Sequence, residues 1–132
     1  MMSAILCVDD EEFVLKALYQ DLSNHFGEEY IIELAQSAAD GLEILDEIQE
    51  DNIEVVVIIS DWMMPGMKGD EFLVEAHKKF PKVIKILLTG QADKDAIQNA
   101  KENADLKQAV FKPWDSVELI ELIKSNLKEL NE

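Results

Sequence analysis

No arginine occurs in this chain of 132 residues; its 12 strongly basic residues are all lysines, set against 28 acids. The formal net charge at pH 7 is -16. A surface of that sign repels phosphate backbones and anionic headgroups, which argues against direct nucleic-acid binding and against acidic membranes. A cation or a basic partner surface is the natural counterpart. Cysteine is nearly absent as well. Cys7 alone cannot form an intrachain disulfide, which suits a reducing compartment. It lies inside an apolar run, where a small buried hydrophobe is expected rather than a reactive thiol. No apolar stretch approaches membrane-spanning length. The run Ala4-Ile5-Leu6-Cys7-Val8 is too short for a signal peptide and meets acids at once. Repeats, low-complexity tracts and interdomain linkers are missing too. The expectation is a single soluble, cytoplasmic domain over residues 1–132, with 48% hydrophobic residues to build one core.

What is present is a regular alternation. Ser3 to Val8 reads as a buried strand. Val14, Leu18 and Leu22 then recur at helical spacing, up to His25-Phe26-Gly27. Tyr30 to Ala35 is a second strand, and Ala38 to Ile48 a second helix. Ile53 to Ser60 is a third strand, rich in β-branched residues and fit for burial on both faces. Gly69 to Lys79 is a third helix, stopped by Pro81. Val83 to Leu88 is a fourth strand, and Ala92 to Ala104 a fourth, weakly amphipathic helix. Ala109-Val110-Phe111 is a short fifth strand. A last helix follows, capped by Asp115 or Ser116, with Leu119, Ile120, Ile123, Leu127 and Leu130 on one stripe. Five strand–helix units in succession imply an α/β fold with a parallel sheet and helices on both faces.

A parallel sheet brings every strand's carboxyl end to one edge. That edge would hold Asp9 and Asp10, Asp61, Thr89 and Lys112: three carboxylates, a hydroxyl and an amine. Carboxylates about 4 Å apart repel by roughly 4 kcal/mol at an effective dielectric near 20. The set therefore calls for positive charge, part from Lys112 and part from a hard divalent cation such as Mg²⁺. No histidine or free thiol is placed to make a zinc site. A phosphate entering such a cleft would meet Lys112, Thr89 and backbone N–H groups around Trp62 and Gly90. Asp61 would face phosphorus as a nucleophile able to form an acyl phosphate.

These residues carry a resemblance. Asp9-Asp10-Glu11, the block Ser60-Asp61-Trp62-Met63-Met64-Pro65-Gly66-Met67-Lys68-Gly69, Leu87-Leu88-Thr89-Gly90 and Phe111-Lys112-Pro113-Trp114 resemble the receiver domain of two-component response regulators over essentially the whole chain. The resemblance implies a (βα)5 flavodoxin-like fold with strand order 2-1-3-4-5, the order for which a member of this family is the standard illustration. It implies that Asp61 accepts a phosphoryl group from a histidine kinase, a phosphotransfer protein or a small phosphodonor. It implies Mg²⁺ on Asp10, Asp61 and the Met63 backbone carbonyl, with Asp9 holding a metal-bound water. Thr89 and Lys112 would engage the phosphoryl group. Readout would run through the fourth helix, fifth strand and fifth helix to an effector domain or protein, and a homodimer through that face is compatible with the sequence. Such a protein is a switch, catalysing only its own phosphorylation and dephosphorylation.

The sequence departs from the family at Ala109, where members usually carry an aromatic switch residue. Met63 and Gln91 stand where the path of the hydrolytic water is flanked. Two other readings compete. A degenerate receiver would serve as a docking module only, which the intact set Asp10, Asp61, Thr89 and Lys112 opposes. An aspartyl-phosphate phosphohydrolase of the haloacid dehalogenase type would want a second acid where Met63 stands. Plainer readings cover the rest: Trp114 as edge or core packing, Met63, Met64 and Met67 as turn packing, and His25 and His77 as surface residues.

Overall fold

The computed structural model describes residues 2–90 and 93–130. Five strands and five helices alternate: β1 Ser3–Val8, α1 Glu12–Phe26, β2 Tyr30–Ala35, α2 Ala38–Glu50, β3 Glu54–Asp61, α3 Gly69–Lys79, β4 Ile84–Thr89, α4 Lys94–Ala104, β5 Gln108–Phe111 and α5 Ser116–Leu130. All strand pairings are parallel, in the order β2-β1-β3-β4-β5, as expected. β3 is the middle strand and is buried from Val55 to its last residue. Its β-branched residues pack on both faces at once, which is why it lacks an alternating pattern.

The faces of the sheet make two cores. On one, Ile5, Cys7, Val57, Ile59 and Ile86 meet α1 and α5 through Leu18, Leu22, Ile120 and Ile123. On the other, Leu6, Val8, Ile58 and Leu87 meet α2, α3 and α4 through Leu45, Phe72, Leu73 and Ala100. Cys7 is buried as expected, and burial pushes its thiol up to about 12, so it is inert at neutral pH.

Local chemistry explains where elements begin. Ser37 caps α2 by accepting the Asp40 N–H at 3.0 Å. Asp93 caps α4 by accepting the Ala96 N–H at 2.8 Å. The helix start expected at Ala92 lies outside the described residues, as does Gln91. For α5 the cap is Asp115, whose carboxylate accepts the Glu118 N–H at 3.0 Å. Ser116 instead donates to Asp21 at 2.8 Å, and the Trp114 indole N–H donates to the same carboxylate at 2.9 Å. Trp114 therefore ties the start of α5 to α1 and packs against the core, which accounts for it structurally. His77 is a correction: half-buried, it sits 2.7 Å from the ammonium nitrogen of Lys85 and is not a plain surface residue. His25 is exposed.

Candidate functional site

The four strand ends converge as the alternation requires. Asp9 follows β1, Asp61 ends β3, Thr89 ends β4 and Lys112 follows β5. Backbone bonds carry the strands past their formal ends and hold these residues in place. The Asp9 N–H donates to the Ala35 carbonyl at 3.1 Å, Trp62 to Leu88 at 2.8 Å, and Lys112 to Thr89 at 2.9 Å. The Trp62 N–H is therefore committed to the sheet and unavailable to an incoming anion, against the expectation. β3 also runs one residue further than expected, so Asp61 is itself a ladder residue, opposite Leu88. Its carboxylate springs from the buried middle strand of the sheet.

Asp9 is fully buried, Asp61 is 4% exposed and Thr89 1% exposed. The Lys112 ammonium lies between the two acids, 2.9 Å from Asp9 Oδ2 and 2.9 Å from Asp61 Oδ1. Asp9 Oδ1 accepts the Glu11 N–H at 2.8 Å, so both of its oxygens are engaged. Asp10 is exposed at the mouth. One oxygen each from Asp9, Asp10 and Asp61 lies within 4.8 Å of the others. At that spacing each pair of charges repels by roughly 3 kcal/mol at an effective dielectric near 20.

The electrostatics follow. Burial raises the Asp61 carboxyl above the ordinary carboxylate value, and the charges of Asp9 and Asp10 push it the same way, while the bond and charge of Lys112 oppose them. Burial alone would lower the Lys112 ammonium, but its bonds to Asp61 and Asp9 outweigh that and raise it. Three carboxylates and one ammonium leave two negative charges in the cleft. A single divalent cation balances them, and the donors are all hard oxygens, which suits Mg²⁺ rather than a soft metal.

The loop after Asp61 closes the site. Pro65 and Gly66 turn the chain, Gly66 with φ of 79°. The Gly69 N–H donates to the Trp62 carbonyl at 2.8 Å, which shuts the loop into a ring. Gly69 lies so close that a Cβ there would run into the Asp61 carbonyl oxygen and come 2.9 Å from the Trp62 Cα. Met64 fills the floor at 1% exposure, whereas Met63 is 47% exposed. Lys68 donates to the Met63 sulfur at 3.4 Å. Next to Thr89, a Cβ on Gly90 would meet nothing within 4 Å among the described residues. Phe111 is 50% exposed, and Ala109, half-buried, packs against the α3–α4 core.

Sequence reasoning did not single out Gly69, Lys68 or Lys85. Gly69 reads as a helix start, and only the depth of the loop shows that its missing side chain is required. Lys85 stands in an apolar strand, where its burial could have been read from its neighbours.

A sequence profile of the response regulator receiver domain matches residues 5–124. The hydrogenase transcriptional regulatory protein HoxA of Cupriavidus necator is 32% identical over 122 residues; these are 92% of this chain but 23% of that protein's length. The signal receiver domain of an HD domain-containing protein from Pseudomonas fluorescens superposes with a TM-score of 0.87 at 30% identity, covering 99% of this chain and 98% of that one. A CheY-like response regulator receiver domain protein from Methanospirillum hungatei gives 0.84 at 30% identity, with coverage of 99% and 98%. Among the described residues no helix is long and apolar enough to cross a membrane.

Proposed function

The chain belongs to the response regulator receiver domain family, and on that premise we propose that it is a signalling switch that takes a phosphoryl group onto Asp61. The observation that carries the proposal is the Lys112 ammonium held at 2.9 Å from both Asp9 and Asp61. It puts one fixed cation beside one carboxylate that is buried, destabilised as an anion and open to the cleft.

An Asp61 carboxylate oxygen attacks phosphorus and forms the new P–O bond. The donor's bond to phosphorus breaks, and its electron pair leaves with the donor. That donor is the imidazole nitrogen of a histidine kinase or phosphotransfer protein, or the carboxylate of a small acyl phosphate. Lys112 transfers its contact from the Asp61 charge to the phosphoryl oxygens, so little reorganisation is needed. Thr89, at the end of the neighbouring strand, supplies a hydroxyl on the same side. Asp9 holds Lys112 in place through both events. Asp9, Asp10, Asp61 and the Met63 carbonyl are the groups that would hold Mg²⁺, which when bound supplies the remaining neutralising charge.

Phosphorylation replaces the Asp61–Lys112 bond, and the change propagates along β4 and β5 to α4 and α5. A downstream effector domain or protein would read it there, with homodimerisation through the same face as one form of output. Ala109 removes the family's usual aromatic from that path. The proposal keeps the cytoplasmic location expected from the sequence.

Intact mass after incubation with Mg²⁺ and acetyl phosphate tests the reading. One added phosphoryl group is expected, absent with chelator and absent in Asp61→Asn. No adduct under any donor would leave a docking module, and steady release of phosphate from simple monoesters would indicate a phosphohydrolase instead. The metal ligands have their own test. Asp10→Asn should weaken Mg²⁺ binding by roughly tenfold, read from the fluorescence of adjacent Trp62. It should also raise the thermal midpoint in chelator, because it relieves repulsion in the metal-free cleft. Unchanged affinity together with an unchanged midpoint would remove Asp10 from the site.

A further inference from the structure

Lys85 is the only fully buried cation among the described residues. It takes no part in the cleft. It is the second residue of β4, paired with Ile58 of β3, and lies at the end of the strand away from Thr89. Alternation puts its side chain on the face shared with Val83 and Leu87, under α3 and α4. There its nitrogen lies 2.7 Å from His77 Nδ1, in the last turn of α3, and 3.3 Å from the Pro81 carbonyl oxygen.

Other charges facing the pair are few. Asp105, the left-handed residue that ends α4, favours the protonated form of both groups. Lys107, whose N–H donates to the Lys85 carbonyl at 3.0 Å, disfavours the charged amine. On α3 itself, Lys78 is paired with Glu75 and Lys79 with Asp46.

An ammonium offers three donors and no acceptor, so its bond to His77 needs a bare imidazole nitrogen. A neutral amine could equally accept from Nδ1–H. Two protonated groups cannot share the contact at all: both would be donors, both cationic, and one of them is buried. We propose that His77 and Lys85 form a proton-sensitive latch, which fastens the end of α3 to the amino end of β4 while His77 is neutral and releases when His77 is protonated.

Burial, followed by the Lys85 charge, lowers the His77 imidazole below its ordinary value, with Asp105 opposing. Burial lowers Lys85 to about 8, against Asp105 and with Lys107. A lowered imidazole gives stability that is present above its unfolded value, about 6.5, and is lost as pH falls through its folded value. The Lys85 contribution changes only between about 8 and its unfolded value of 10.5, so it is flat below about 8. The window below neutrality therefore reports on His77. Asp61 works in the opposite sense there, and comparing variants that share it cancels its effect.

The test is an NMR titration of the His77 imidazole in the full chain. His77 is expected to titrate below the ordinary imidazole value, about 6.5, and to move up in Lys85→Met. Hydrogen-exchange protection over residues 77–84 is expected to fall about tenfold more from pH 7.5 to 5 in the wild type than in His77→Gln, which keeps an acceptor but cannot be protonated. His77 titrating at or above about 6.5 would overturn the latch. So would an equal pH response of protection in the wild type and His77→Gln, a result that does not depend on Lys85→Met folding.

Discussion

Lys112→Met should lower stability by about 3 kcal/mol at neutral pH and cut the rate of phosphoryl acceptance by roughly 100-fold. The two effects share one cause. Among the described residues Lys112 is the only cation paired with Asp9, fully buried, and Asp61, 4% exposed. Removing it leaves two buried carboxylates facing each other with no counter-charge, which is the costly way to break a buried pair. In a domain of this size the loss corresponds to roughly 10 °C in the thermal midpoint. The same substitution takes away the fixed charge that would meet the phosphoryl oxygens. The pH dependence has a definite sign. The Asp61 carboxyl is already raised by burial and by Asp9 and Asp10, and losing Lys112 raises it further. Its raised value means that stability is lost as pH rises through it, so the penalty of Lys112→Met should shrink on acidification. Adding Asp61→Asn should recover part of the lost stability but none of the phosphoryl acceptance. Thermal melts in chelator at two pH values measure all of this. A Lys112→Met protein as stable as the wild type at neutral pH would mean that the bridge contributes little.

Gly69→Ala is the second large effect. Gly69 is the first residue of α3, where alanine's helix propensity alone would favour the change by about 1 kcal/mol. The close approach decides otherwise. An added methyl would occupy space held by the Asp61 carbonyl oxygen, and the obstacle is backbone, which cannot turn aside as a side chain does. The loop from Trp62 to Lys68 would have to move, and the Gly69 to Trp62 hydrogen bond with it. We expect a net loss of about 3 kcal/mol, at the upper end of overpacking effects, and a marked loss of phosphoryl acceptance because Asp61 is displaced. Gly90→Ala is the matched control. A Cβ there meets nothing within 4 Å, so its stability should stay within about 0.5 kcal/mol of the wild type. Equal behaviour of the two alanine variants would contradict the packing described for the loop.

The two glycines also mark how far the sequence could be read. Hydrophobic period revealed all ten elements, because each strand and helix must bury a face and the faces have different spacings. Asp61 was legible because a β-branched run that ends in an acid has one sensible place in a parallel sheet. Asp9, Thr89 and Lys112 followed from topology, and Lys112 bridges Asp9 to Asp61. Contacts made at close range between distant segments were not legible. The commitment of the Trp62 N–H to Leu88, the tie from Trp114 to Asp21, and the pairing of His77 with Lys85 depend on loop paths and side-chain reach that no local pattern encodes. Asp115 and Ser116 were equally good caps on paper; Asp21, brought near by α1, takes Ser116 and leaves the cap to Asp115.

The central claim is that one carboxylate, Asp61, receives the phosphoryl group. The direct measurement is chemical location of the modified residue. The protein is loaded with acetyl phosphate and Mg²⁺, the acyl phosphate is reduced with borohydride to a homoserine, and the peptides are sequenced by mass spectrometry. The account predicts homoserine at position 61 and nowhere else, and none when Mg²⁺ is withheld. Homoserine at position 9 or 10 instead, or a phosphoryl group on a residue that borohydride does not reduce, would contradict it.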